Sequence, residues 1–289
     1  MTRGLFIALL LVLLSTGCTS GRWCGDGGDD LLVCAAYEED LARVRAILEE
    51  GHNVNAQNLD GVTSLMASAS KGRKDIVALL LERGANVNSR DHYERTALMD
   101  AATNGNPEIL GWLIDKGADT NAKDKDGRTA LMFAALNSHS GVIEALVASG
   151  ADVNAQANNG MSALMWAATN NDVDSITALT SGGAEVNATD SGGETALMVA
   201  AWHGYDDVVK ALIANGANVN ATTKDSAYYR PGNWTALMSA ASEGHLKTVE
   251  ILLAMRSDAR AKNRAGETAQ TIAEKNNHLD IAKLLERAA

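Results

Sequence analysis

At 289 residues, 46% of them apolar and with a formal charge of −11, the chain can bury a substantial core but lacks the clustered Lys and Arg that binding to DNA, RNA or an anionic membrane surface requires. The acidic balance fits protein partners. Aromatic residues are scarce, at 4%, so the few Trp are worth locating.

The chain opens on Met1-Thr2-Arg3, a short positive region, followed by an almost wholly apolar run from Gly4 to Leu14. A membrane span needs roughly 20 apolar residues, and this run stops near Gly17, with the polar stretch Thr19 to Arg22 behind it. That is the length of a signal-peptide core. The segment Leu14-Ser15-Thr16-Gly17-Cys18 resembles the lipobox of bacterial lipoproteins, with Leu one place further from the Cys than in the commonest form. The resemblance implies removal of residues 1–17, lipid attachment at Cys18, and a periplasm-facing protein of the bacterial cell envelope. The absence of Asp after Cys18 implies the outer membrane. Ordinary secretion and a retained anchor are the alternatives. Residues 18–27 would form the tether.

Cys24 and Cys34 can close a short loop in an oxidising compartment, restricting the unfolded chain by about 2 to 3 kcal/mol. The competing reading makes Cys34 a small buried residue of the first structural unit. Their spacing matches no zinc pattern.

From Gly28 onward the sequence repeats. Its marker is TSLM at Thr63, TALM at Thr96 and Thr129, SALM at Ser162, TALM at Thr195 and Thr235, and TAQT at Thr268. The steps are 33 residues, except the 40 from Thr195 to Thr235, where seven residues are inserted. Gly51, Gly84, Gly117, Gly150, Gly183 and Gly216 keep the same register, most of them followed by Ala-x-Val-Asn. Thr63 is placed to cap a short helix reaching about Lys71, Ile76 to Leu81 form the apolar stripe of a second helix, and Gly84 ends it. Asp60-Gly61 and Asp126-Gly127 suit tight turns.

A 33-residue period of T-x-L-x-x-A-A, a second apolar helix and G-A-x-V-N-A resembles the ankyrin repeat. The resemblance covers residues 28–289 and implies an all-α solenoid of stacked helix-turn-helix units with projecting fingers, about seven repeats and a shortened C-terminal one. Two marker positions depart from the family. Pro is replaced by Ala or Ser, and His by Met66, Met99, Met132, Met165, Met198 and Met238, which can pack but cannot hydrogen-bond between repeats. The ends read as polar caps: Glu38, Glu39, Asp40, Arg43 and Arg45 at one, and Lys275, Asn276, Asn277 and Lys283 at the other, with Arg256 in place of the terminating Gly. The weakest helix is expected in the fifth unit, where Ser175 and Thr180 replace the residue types of Ile76 and Leu81.

No catalytic constellation is evident: the six His are scattered, and HExxH, GxSxG and phosphate-loop patterns are absent. No cofactor or metal site is expected, and nothing marks an enzyme. The methionine stripe raises one chemical alternative, binding of a soft metal or consumption of oxidant, against the simpler role of packing. Binding is better signposted. In ankyrin proteins the concave face is built from finger tips and from the residues just after the Ala-Ala pair, and by register Leu136, Trp202 and His203 fall there, with Phe133 and Trp166 one helical turn before. The enlarged finger at 221–234 adds Tyr228, Tyr229, Arg230 and Trp234. Aromatic and Arg side chains dominate interface energetics. These residues are the expected partner-binding set, unless Phe133 and Trp166 are buried between helices and the longer finger is only tolerated. The expected function is recognition of a protein partner, with no role for nucleic acid, at the end of a tether that reaches about 35 Å. An inhibitor, immunity or stabilising factor for an envelope enzyme or toxin is the alternative of another class.

Overall fold

The structure, a computed structural model, describes residues 30–225 and 232–289. The signal segment, Cys18, Cys24, Tyr228, Tyr229 and Arg230 lie outside the described residues. Among the described residues there are sixteen α-helices and no strand, with isolated bridges at Gln57–Thr63 and Gln156–Ser162. The fold is all-α.

The chain divides into two compact units, Met1–Asp119 and Thr120–Ala289. The first holds three pairs of a short inner and a longer outer helix: α1 (Asp30–Tyr37) with α2 (Leu41–Glu49), α3 (Ser64–Ser70) with α4 (Lys74–Glu82), and α5 (Ala97–Asn104) with α6 (Pro107–Asp115). The second holds five: α7 (Ala130–Leu136) with α8 (Ser140–Ala148), α9 (Ala163–Thr169) with α10 (Val173–Ser181), α11 (Ala196–His203) with α12 (Asp206–Ala214), α13 (Ala236–Glu243) with α14 (Leu246–Ala254), and α15 (Ala269–Lys275) with α16 (Leu279–Ala288). Within each unit inner helices pack on inner helices and outer on outer.

The marker residues show why the helices start where they do. Thr63, Thr195 and Thr235 have extended backbones and accept, through their hydroxyls, the N–H of the Met three residues on, at 3.2 to 3.3 Å. Thr268 forms a reciprocal capping box with Thr271. At Thr96, Thr129 and Ser162 the backbone is the same but the buried hydroxyl has no partner. The paired alanines, such as Ala101-Ala102 and Ala200-Ala201, are fully buried, which lets neighbouring helices approach closely. Ser68 takes the place of the first alanine in α3 and satisfies its hydroxyl on Ser64 O and Leu65 O.

Asparagines of the Val-Asn step tie successive pairs together. Asn154 accepts from Glu185 N at 2.8 Å and donates to Gly183 O at 3.3 Å, and Asn88, Asn121, Asn187 and Asn220 repeat the arrangement. Each thus holds the end of the next outer helix. A second ladder runs along the inner helices: His245 Nε2 donates to Trp202 O at 3.0 Å, His278 Nε2 to Ser242 O at 3.2 Å, and Asn104 Nδ2 to Ser70 O at 3.2 Å. The hydrogen bonds lost where Met replaces His are therefore supplied from other positions.

Gly84 ends its helix with φ +82°, a conformation that costs other residues about 1 kcal/mol. Arg256 occupies the corresponding place at φ +62°. The polar cap at the start of the array is confined to α2 and the turn before it, where Arg43 and Arg45 are exposed. The inner helix α1 carries no polar residue between Leu31 and Ala36 and buries Leu32 to Ala36 in an unbroken run.

In α10, Ser175 is fully buried and its hydroxyl has no partner, while Thr177 and Thr180 bond back to Val173 O and Ile176 O. An unsatisfied buried hydroxyl costs about 1 to 3 kcal/mol, and back-bonding weakens a helix slightly. Ser175→Val, the residue type of Val142 and Val208, is expected to raise stability by about 1 kcal/mol in urea melts and to slow amide exchange across Val173–Ser181. A variant no more stable than the parent would count against a local weak point.

Candidate functional site

Projecting fingers link successive pairs, and each closes by the same bond. The backbone N–H of the first finger residue donates to the carbonyl four residues on, as in Asn58–Val62, Asp91–Arg95, Asp124–Arg128, Ala157–Met161, Asp190–Glu194 and Asn263–Glu267. Where that residue is Asn or Asp, its side chain folds the turn. Asp190 Oδ1, for example, accepts from Gly192 N at 2.9 Å and Glu194 N at 2.8 Å. In the enlarged finger the closing bond runs from Thr223 N to Trp234 O at 3.0 Å, and Trp234 N donates to Thr223 Oγ1 at 3.0 Å. The bond spans eleven residues instead of four, so all seven inserted residues lie inside this finger. Asp225 on one side of its base pairs with Arg264 of the next finger. Adjacent fingers are also zipped through their backbones: His92 N to Asp60 O, Ser191 N to Asn159 O, Lys224 N to Gly192 O and Arg264 N to Gly232 O, at 2.8 to 3.0 Å.

This frame separates the predicted binding residues into three groups. Phe133 (3% exposed) and Trp234 (7%) are core residues, which corrects the expectation that they face a partner. Trp234 immediately precedes the Thr235 marker, the place of buried Val62, and its indole N–H donates to Ser239 Oγ at 3.1 Å. Phe133 lies beneath the Arg128 guanidinium, 5.0 Å from its ring centre, and Arg128 is itself paired with buried Asp124. Leu136, Trp166, Trp202 and His203 are half-buried, on the inner helices of the second unit. Tyr228, Tyr229 and Arg230, the third group, lie outside the described residues.

The half-buried group has structure of its own. His203 stacks on Tyr205, rings 5.1 Å apart and nearly parallel. Burial, reinforced by the neighbouring His245, holds the His203 imidazole below its ordinary range, so it is neutral near pH 7. Trp166 keeps its indole N–H buried with no acceptor. Asn170 Nδ2 reaches Leu136 O and so fixes the end of α7 against α9.

A match to the family of Ankyrin repeats (3 copies) covers residues 31–124, 131–223 and 224–289. The chain belongs to the ankyrin repeat family. A comparison with curated proteins returned no match. Ankyrin arrays are protein-interaction modules.

Two surface residues of this ankyrin array were missed by sequence reasoning. Leu59 (85% exposed) and Tyr93 (66%) stand at the tips of the first two fingers of the first unit. The signal was an apolar residue inside a turn, in Asn58-Leu59-Asp60-Gly61 and in Asp91-His92-Tyr93-Glu94. In the same unit Lys71, just after α3, places its ammonium 4.1 Å from the centre of the Tyr37 ring. The six marker methionines are all buried, at 2% exposure or less. Their thioethers fill the space between helices, and a metal or oxidant could reach them only through opening of the array. Cys34 is buried, at 3% exposure, and disulfide-bonded; Cys24 lies outside the described residues.

Proposed function

We propose that this ankyrin chain is a non-enzymatic recognition module of the bacterial envelope, tethered through lipid on Cys18 and docking a protein partner on the inner-helix and finger surface of its second unit. The observation that carries the docking site is the row of half-buried Leu136, Trp166, Trp202 and His203 on successive inner helices. The scaffold beneath is fixed by the asparagine and histidine ladders, so little ordering entropy is lost on docking.

The tether is supported by the lipobox-like Leu14 to Cys18 and the short stretch between Cys18 and α1. Its test is incorporation of labelled palmitate by the full chain in a bacterial host: Cys18→Ser is expected to abolish labelling and release the protein from the membrane fraction. Labelling that survives the change would remove the anchor from Cys18.

For the site, a photo-crosslinking residue at position 202 is expected to capture one defined envelope protein, and one at the exposed Glu250 of the outer helix α14 to capture none. Trp202→Ala should weaken binding of that protein by at least about 30-fold, as expected for an aromatic anchor worth about 2 kcal/mol. Equal capture at both positions would place the interface elsewhere.

A further inference from the structure

The residue just before the helix-capping Thr ends a finger, and in three repeats it meets the side chain five residues on, in the first turn of the inner helix. Arg95 pairs with Asp100, Arg128 lies 5.0 Å from the centre of the Phe133 ring, and the Trp234 indole N–H donates to Ser239 Oγ at 3.1 Å. The same register sets Met161, just before Ser162, against Trp166 on α9. Here the two partners are mismatched. The Trp166 indole N–H is buried with no acceptor among the described residues, and Met161 offers it a thioether, which packs well against a ring but accepts hydrogen bonds weakly. The backbone of Met161 is held by its finger: its N–H donates to Asn159 Oδ1 at 3.1 Å, and its carbonyl accepts from Ala157 N at 3.0 Å. Access sets this sulfur apart from the marker stripe. The six marker methionines are at most 2% exposed, whereas Met161 is half-buried and Met255, in the turn after α14, is 50% exposed.

We infer that Met161 is an oxidation site, at which a peroxide converts the thioether to a sulfoxide whose oxygen accepts the indole N–H of Trp166. The sulfur lone pair attacks one peroxide oxygen. An S–O bond forms as the O–O bond breaks, and with hydrogen peroxide the second oxygen leaves as water, carrying both protons. Sulfur loses two electrons and the peroxide gains them. The product is a polar group with a strong acceptor oxygen, at the one place in its register where an indole donor waits for one. The finger need not move, because the new atom is added to a side chain whose backbone stays tied to Asn159 and Ala157.

Oxidation of a packed methionine ordinarily disrupts the core around it. At Met161 the sulfoxide gains a hydrogen bond in exchange for the lost apolar contact, so the array stays folded while its surface changes. Trp166 becomes fixed and acquires a polar neighbour. On the docking row proposed above, that change makes recognition sensitive to oxidant. This last consequence rests on that reading, and the oxidation site itself does not.

The test treats the full chain with dilute hydrogen peroxide, so that neither the partner nor the tether enters its outcome. Peptide mass mapping is expected to find one oxygen added at Met161 and at Met255, while the six marker methionines stay reduced. In Met255→Leu, which leaves Met161 as the exposed sulfur among the described residues, the indole N–H of Trp166 is followed by NMR and assigned by its loss in Trp166→Phe. Its exchange with solvent is expected to slow at least about tenfold after oxidation, as a new hydrogen bond requires. Met161→Leu keeps the packing and removes the sulfur, so its Trp166 N–H should not respond to peroxide. A Met161 that stays reduced while Met255 is oxidised would overturn the site. Oxidised Met161 with unchanged or faster exchange at Trp166 would overturn the hydrogen bond. Oxidation of the marker methionines together with Met161 would also overturn it, because the sulfoxide would then be opening the array.

Discussion

Trp234→Ala is expected to destabilise the second unit by about 3 to 5 kcal/mol, the range for emptying a buried Trp site. The side chain is 7% exposed, and its N–H is bonded to Ser239 Oγ on α13. Its backbone closes the enlarged finger against Thr223. Removal therefore opens a cavity under the finger, takes away the donor that holds the start of α13, and loosens the joint where seven extra residues enter the array. Trp234→Phe keeps most of the volume and loses only the donor, and should cost about 1 to 2 kcal/mol. Because each pair of a repeat array leans on its neighbours, the loss should appear in urea melts as earlier unfolding of the pairs around α11 to α14. Trp202→Ala, at a half-buried position, should cost far less. If Trp234→Ala shifted the melt by under 1 kcal/mol, the indole would not be part of the core. The contrast matters for mapping the interface: a binding defect in a Trp234 variant would report misfolding, whereas one in Trp202→Ala would report contact.

Trp234 also shows how far the sequence was legible. Two markers running in phase at 33 residues were enough to place the helices, their caps and the turns, because in a repeat fold each residue type recurs for a local reason: Thr for the cap, Ala-Ala for close helix contact, Gly for the left-handed helix end. The six methionines were equally readable, since they recur with the fold. What failed was the assignment of single side chains at variable positions. Trp234 was grouped with the insertion because it follows it, although the register sets it at the place of Val62, where a buried residue belongs. Phe133 and Trp166 hold the same register position, yet one is covered by Arg128 and the other stays half-buried with an idle N–H; that difference depends on what the neighbouring fingers supply and not on the residue type. The asparagine ladder was visible as a repeated letter, but its two hydrogen bonds reach the next repeat, about 30 residues away, and no local pattern announces them.

Asp100 is the residue whose role was least visible in sequence, and it predicts a distinctive pH response. It occupies, on α5, the register position of Ala67, a place for a buried side chain. Burial pushes its carboxyl up to about 6, a shift that Asp91 adds to and the ion pair with Arg95 only partly offsets. In the unfolded chain the same group titrates near its ordinary value of 3.8. Between these two values the folded protein holds the proton that the unfolded chain has released. Stability therefore falls as pH rises from about 4 to about 6, by at most about 3 kcal/mol from this one group. Asp75 and Glu267 act in the opposite sense: hydrogen bonds from Arg73 and Lys275 hold their carboxyls below the ordinary range, so the stability they add is lost as pH drops further. The difference between the parent and Asp100→Asn isolates the buried group. The amide keeps the shape and can still accept from Arg95, but it has no proton to lose. Urea melts at pH 4, 5, 6 and 7 should show a variant whose stability gains on the parent's through this window and then runs parallel above it. Parallel curves across the whole window would mean that Asp100 titrates like an exposed carboxylate, and that the Arg95 ion pair outweighs its burial.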